Sequence, residues 1–229
     1  MNDLKGLVTM YPEQGFQANA YIIRTADGMT VIDPSFPPEK LSGGDRDRLN
    51  LLVATHGHFD HTAGAAAWME SKKNVPFYMH KDDQGMWDDP NQNVSSLFGR
   101  GTNTARADHE LREGVPIDIG SSFILTPIHT PGHTAGSVCL LMESRLSNGL
   151  TRAVCLFTGD TIFINSIGRC DFPGGSEQAM QSSLKKLLDV GRRYPFSPDL
   201  PLFFGHGRSG SWSEALQMNP WLRSLREHS

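Results

Sequence analysis

Cysteine is scarce. The chain has only Cys139, Cys155 and Cys170, and no two of them form a close Cys-x-x-Cys pair. That excludes a disulfide framework and fits a reducing compartment. Cys139 and Cys155 sit inside apolar runs and read as buried thiols, whereas Cys170 lies in a polar loop. Long apolar runs are also missing: none approaches the ~20 residues that span a bilayer. The opening stretch "MNDLKGLVTMYPEQ" has no basic patch leading into an apolar segment, so no signal peptide is expected and the chain reads as cytoplasmic, with no membrane partner. Runs of Lys and Arg are absent too. The formal net charge of −4 offers nothing to a polyanion, so no nucleic-acid partner is expected. Repeats and low-complexity tracts are not found. What remains is a 229-residue chain of ordinary composition, 38% hydrophobic and 20% charged. It is long enough for one substantial core, and a single domain over residues 1–229 is expected.

Short apolar runs punctuated by turn residues dominate. "NAYIIR" (Asn19–Arg24) and "MTVIDP" (Met29–Pro34) flank Asp27-Gly28, a hairpin signal. "LNLLVAT" (Leu49–Thr55) and "VPFYMH" (Val75–His80) read as strands. Between them "TAGAAAWMESKK" is rich in helix formers, with Thr62 as the expected N-cap. The polar segment Lys81–Gly114 is either a lid or binding loop, or a surface insertion. Strands return at Phe123–His129, Ser137–Met142 and Ala153–Gly159, the last two separated by Asn148-Gly149. Met180, Leu184, Leu187 and Leu188 recur at helical spacing behind Ser176. "PLFFG" (Pro201–Gly205) is a last strand, Ser211-x-x-Glu214 opens a helix, and Asn219-Pro220 breaks it. This order suits two stacked sheets flanked by helices, although periodicity alone does not separate that from other α/β layouts.

The densest chemistry is "VATHGHFDHTAG", where His56, His58, Asp60 and His61 fall within six residues. In extended chain, alternate residues point the same way, so His56 and His58 can aim at one point. The chain then turns, and Asp60 and His61 can aim beside it. Imidazole with carboxylate suits zinc, and also iron or manganese. Three further side chains follow other predicted strands in Gly-containing turns: His133 in "HTPGHTAGS", Asp160 in "LFTGDTIF" and His206 in "LFFGHGRSG". Past the C-terminal ends of strands is where α/β folds gather functional groups. A single histidine in such a place is ordinarily a packing or surface residue, and His80, His109 and His228 are set aside on that ground. His133, Asp160 and His206 are retained because converging imidazoles and carboxylates are costly to desolvate unless a cation compensates them.

On these residues the chain resembles the metallo-β-lactamase fold superfamily, whose signature H-x-H-x-D-H reads here His56, His58, Asp60, His61. The match continues through His133, Asp160 and His206 in the expected order. The resemblance implies an α/β αββα sandwich, two mixed sheets flanked by helices, with two divalent metal ions, expected to be zinc with iron or manganese open. By position, His56, His58 and His133 would bind one metal, Asp60, His61 and His206 the other, and Asp160 would bridge them. His129 is expected near the site but not as a ligand, and Asp33 in "VIDPS" matches a recurring structural aspartate. "GDTIFINSIGRCDFPGGS" resembles the small glyoxalase II-like hydrolases, and only 23 residues follow His206, so their C-terminal helical domain is not expected. The implied activity is hydrolysis of a thioester or ester of a small-molecule substrate by metal-activated hydroxide, with Asp60 as the catalytic carboxylate. Arg169 is either a contact for an anionic substrate or the partner of Asp171 in a loop salt bridge. Two other functions stay open: an iron-dependent persulfide dioxygenase of the same superfamily, and a non-enzymatic, metal-stabilised interaction protein.

Overall fold

A computed structural model describes residues 4, 6–99, 104–194 and 196–227. His228, parts of the N-terminal stretch and residues 100–103 of the Lys81–Gly114 segment lie outside the described residues. Two six-stranded sheets account for the strands. The first runs in sequence order through β1 (Val8–Tyr11), β2 (Ala20–Arg24), β3 (Met29–Ile32), β4 (Leu49–Val53), β5 (Phe77–His80) and β6 (His109–Leu111). The second holds β7 (Ile117–Asp118), β8 (Phe123–His129), β9 (Val138–Arg145), β10 (Thr151–Gly159), β11 (Pro201–Phe204) and β12 (Gly210–Ser211), also side by side in order. Both sheets are mixed. β3, β4, β5 and β6 pair in parallel, as do β10 and β11, and the remaining pairs are antiparallel.

Why the runs are continuously apolar rather than alternating becomes clear from the packing. Tyr21 and Ile23 of β2 face the space between the sheets, while Ala20 and Ile22 face outward. In β9, Val138, Leu140 and Met142 point inward and Cys139 and Leu141 outward. In β10, Cys155 and Phe157 point inward and Leu156 outward. A short helix, α1 (Gly43–Asp47), lies in the connection before β4, and each outward face is covered by helix. Ala65 and Trp68 of α3 (Ala65–Ser71) cover the first sheet. α4 (Glu177–Arg193) covers the second through Met180, Leu184, Leu187 and Leu188. Strands buried on both faces need apolar residues at every position. The result is helix, sheet, sheet, helix, the αββα sandwich. Cys139 and Cys155 are fully buried in it, and Cys170 is half-buried.

The turn and cap signals have physical outcomes. β2 and β3 pair antiparallel around Asp27-Gly28, and β9 and β10 around Asn148-Gly149. Ser176 accepts from the Ala179 amide to open α4, and Ser211 accepts from Glu214 to open α5 (Trp212–Met218). Asn219 breaks the next turn. Its Oδ1 accepts from the Trp221 and Leu222 amides at the start of α6 (Pro220–Glu227), and its Nδ2 donates to the Phe163 and Ser166 carbonyls.

Thr62 corrects the cap expectation. It ends the one-turn helix α2 (Phe59–Thr62), and its hydroxyl donates back to the His58 carbonyl at 3.0 Å; the next helix, α3, starts behind Gly64 instead. No described helix is long and apolar enough to cross a membrane.

Candidate metal centre

All seven anticipated side chains meet at one edge of the sandwich, beyond the C-terminal ends of β4, β10 and β11 and in the turn between β8 and β9. His56, His58 and His133 offer ligand atoms within 4.8 Å of one another. The same limit holds for His56, His61 and Asp160, and for Asp60, His61 and His206. Asp160 faces both histidine groups: it lies 3.5 Å from His133 Nε2, 3.3 Å from His61 Nε2 and 3.7 Å from His206 Nε2. Such contact requires a bare backbone alongside. A Cβ on Gly205 would fall 2.0 Å from Asp160 Oδ1 and 2.6 Å from the His61 ring.

The outer nitrogens of the rings are held by the protein. Asp33 accepts from His61 Nδ1 at 2.9 Å and from the Thr55 hydroxyl at 2.9 Å. With its proton committed to Asp33, the Thr55 oxygen is free to accept from His56 Nδ1, 3.1 Å away. The Arg169 carbonyl accepts from His133 Nδ1 at 2.8 Å, and Glu13 from His206 Nδ1 at 2.8 Å. At His56, His61 and His133 an N–H tied down on one side turns Nε2 toward the centre, the arrangement that prepares a histidine for metal, whereas His206 Nε2 meets Asp60 at 3.1 Å and a metal ion there would take the place of its proton.

Electrostatics point the same way. Burial, with His61 and His133 alongside, holds His56 well below the ordinary imidazole value; burial and then His133 hold His58 down at about 3. His61 moves oppositely: burial opposes its charge, but Asp160, Asp60 and Asp33 outweigh burial and raise it. His206 is raised to about 9, against its burial, by the hydrogen bond to Asp60 and by Asp160. Asp60 and Asp160 are both lowered, the imidazoles around them overcoming burial. Ionised carboxylates, two imidazoles held neutral at His56 and His58, and two at His61 and His206 whose protons a cation would displace form a donor set for divalent cations.

The residues fit such ions on a further count. His56, His58, His61 and His133 each leave Nε2 buried without a hydrogen-bond partner, and Asp160 leaves Oδ1 so. A buried unpaired polar atom costs about 1–3 kcal/mol, and native interiors hold few of them. Five in one site are accounted for together by cations that all of them can reach.

Asp83 has no counterpart in the sequence motifs. It follows β5 at the start of the polar Lys81–Gly114 segment and is buried. Its carboxylate accepts from the Gly57 amide at 2.9 Å, the Gly136 amide at 2.7 Å and the Thr134 hydroxyl at 2.6 Å. One side chain thus clamps the loop carrying His56 and His58 to the turn carrying His133. A Cβ on Gly136 would sit 2.6 Å from Asp83 Cγ, so glycine is needed there. Burial raises the Asp83 pKa, and the three donors partly offset it. Asp83→Ala is expected to leave those donors buried and unpaired, lowering stability by about 2–4 kcal/mol. A thermal melt should register about 5–15 °C. A shift under 2 °C would show that the clamp is not needed.

Elsewhere the outcomes divide. Arg169 donates from Nε and Nη2, one edge of its guanidinium, to Asp171 at 2.6 Å each, and lays its face on Phe172 at 3.9 Å, which is the salt-bridge alternative. Arg208 pairs with Glu214. His129 donates through Nε2 to the Ala135 carbonyl and stacks on His80 with centroids 4.0 Å apart and planes 11° off parallel. These two rings and Asp82 also bring ligand atoms within 4.8 Å of one another, but stacked rings send their in-plane lone pairs side by side rather than toward one point. Asn19 and Tyr21 both donate to the Phe204 carbonyl, joining β2 to the end of β11.

Comparison with known proteins agrees with this centre. The profile of the metallo-beta-lactamase superfamily matches residues 14–206. The chain is 30% identical over 221 residues to the probable metallo-hydrolase YqgX of Bacillus subtilis (strain 168), covering 93% of this chain and 96% of that protein. It is 26% identical over 223 residues to hydroxyacylglutathione hydrolase GloC of Haemophilus influenzae, covering 95% and 98%. The solved structure of TTHA1623 in a di-iron-bound form superposes with a TM-score of 0.74 at 28% identity, covering 93% of this chain and all of that one. The fold, the His and Asp cluster and the extent of these matches together place the chain in the metallo-beta-lactamase superfamily of metal-dependent hydrolases.

Proposed function

We propose that the chain hydrolyses a thioester of a small molecule with two divalent cations, zinc in the first instance. The observation that carries this reading is the set of five buried ligand atoms in the centre, three with no partner and two, His61 Nε2 and Asp160 Oδ1, that face each other at 3.3 Å. His56, His58 and His133 would hold one cation, Asp60, His61 and His206 the other, and Asp160 would face both. Divalent cations bound there would supply a Lewis acid and bring the pKa of water to about 7.

The remaining work falls to the chain's own groups. Asp33, Thr55, Glu13 and the Arg169 carbonyl fix the ring orientations. Asp60 accepts from His206 Nε2 at 3.1 Å and keeps its side chain 13% exposed toward the pocket. There it can accept a hydrogen bond from an attacking water and hold it against a carbonyl carbon. Apart from the proposed ligands and Arg169, the pocket is lined by apolar side chains and Gly168, so with cations on those ligands no acid stands ready to protonate a leaving group. A thiolate leaves without protonation, which favours a thioester over an amide. The GloC relative, named for hydroxyacylglutathione hydrolysis, supports the same bond type.

Two measurements test the reading. Zinc at a hundredfold over its dissociation constant is expected to stabilise the fold by about 2.7 kcal/mol, raising Tm by roughly 5–10 °C. The metal-loaded protein is expected to cleave S-lactoylglutathione or simpler acyl thioesters. Oxygen uptake with glutathione persulfide and no thioester cleavage would replace hydrolysis with the dioxygenase function.

A further inference from the structure

The pocket that opens onto the metal centre has a volume of about 300 Å³, at the small end of small-molecule sites. Its floor is polar: His58, Asp60, His133, Asp160 and His206. Its walls are not. Val94 and Phe98 come from the segment after β5, and Phe163, Ile167 and Phe172 from the loop after Asp160. The one cationic group on the wall, Arg169, is spent on Asp171 and on the Phe172 face. Leu97, beside Phe98, is 66% exposed, and Phe98 itself 40%.

Val94 is a second, independent observation. It is β-branched yet sits at φ +59°, a left-handed conformation that such residues rarely adopt. A turn that merely connected two segments would take Gly or Asn there. The strain is held from behind by Asn93, which is fully buried. Asn93 donates to the Met86 carbonyl, accepts from the Ser95 amide through its side chain, and accepts from the Phe59 amide through its carbonyl. Phe59 neighbours Asp60, so the wall is registered directly to the ligand loop. Strained residues over-determined by their surroundings cluster at ligand sites.

We infer that the site selects thioesters whose acyl group is apolar and of medium size, a chain of about four to eight carbons or a single ring, over small hydroxylated acyl groups. This deepens the proposed hydrolysis and rests on it. A lactoyl group would bring a hydroxyl against Val94, Phe98 and Phe163 with nothing to receive it, whereas methylenes would be taken out of water. Each fully buried methylene favours the bound state about fourfold.

The test is a panel of N-acetylcysteamine thioesters (acetyl, lactoyl, hexanoyl, benzoyl) with the zinc-loaded protein. A kcat/KM for hexanoyl at least tenfold above both acetyl and lactoyl is expected, with Phe98→Ser reducing that ratio at least threefold. A ratio under tenfold, or one unmoved by Phe98→Ser, overturns the inference. Calorimetric titration of the same protein with hexanoate and acetate separates the two readings. Binding of hexanoate at least tenfold tighter with no thioester cleaved keeps the apolar subsite and removes the hydrolase function. Cleavage without chain-length dependence does the reverse. Equal binding with no cleavage removes both.

Discussion

Asp160→Ala is expected to lower kcat/KM by about 10³-fold or more, the rate equivalent of roughly 4 kcal/mol of lost transition-state stabilisation. Asp160 faces His133 on one side and His61 and His206 on the other, so no other carboxylate in the site can take its place. Without it each proposed cation keeps three protein ligands at most, and the two sites lose their common anion. Asp160→Asn separates charge from shape. It fills the same space beside Gly205 but removes the negative charge that chiefly raises His61 and that supports Asp60 in raising His206. Both variants are expected to bind less metal, and inductively coupled plasma mass spectrometry would read this directly. Circular dichroism should show the sandwich intact, because Asp160 lies at its edge rather than in any of the three apolar clusters. Full metal content in Asp160→Ala, with activity within tenfold of the parent, would rule out a shared position for this carboxylate.

Asp33→Ala is expected to damage stability more than any ligand substitution. Its Oδ1 accepts from the Thr55 amide at 2.7 Å, and its Oδ2 from the Thr55 hydroxyl and His61 Nδ1, both at 2.9 Å. These groups are buried, so alanine strands three donors and leaves His61 without the carboxylate behind it. Breaking a buried, hydrogen-bonded pair of this kind costs about 3–5 kcal/mol. Asp33 also sits at φ +51°, which alanine tolerates less well than Asp or Asn. For a chain of this length the loss corresponds to a Tm drop of about 10 °C or more. Asp33→Asn tells stability from metal binding. It keeps the backbone preference and one acceptor, but turns an amide toward a donor, so most of the fold should survive. Metal affinity should still fall about 10–100-fold, as when a histidine loses its outer carboxylate. A metal titration showing unchanged affinity in Asp33→Asn would mean that Asp33 serves the fold alone.

How much of this could be read from residue order differs from one group to the next. His56, His58, Asp60 and His61 are local: they fall within six residues just past β4, so one turn brings them together, although Asp33, Thr55 and Asp83 fix how that turn sits. His133, Asp160 and His206 were legible because each follows an apolar strand in a Gly turn, and in sheets of this kind such ends lie together. The strands from Ala20 to Phe204 showed in their β-branched and apolar runs, whereas β1, β6, β7 and β12 are short and partly exposed, with too little pattern to stand out. Thr62 misled because a good capping residue followed by helix formers ordinarily starts a helix. Here α2 intervenes, and the Thr62 hydroxyl turns back to the His58 carbonyl.

Local residue order therefore determined which side chains gather in the candidate centre, their sequence along the chain and the doubly buried character of the central strands, since these rest on side-chain type and short-range geometry. Tertiary structure alone decided that Asp83 clamps Gly57 to Gly136, that Glu13 meets His206 across the molecule, and that Arg169 closes on Asp171 rather than on the pocket. It also decided that Val94 and Phe98 wall the pocket. Most of those contacts join residues tens to hundreds of positions apart, and they are set by strand register and loop packing. A hydrogen bond gained or lost within an ångström leaves no trace in the pattern of neighbouring residues.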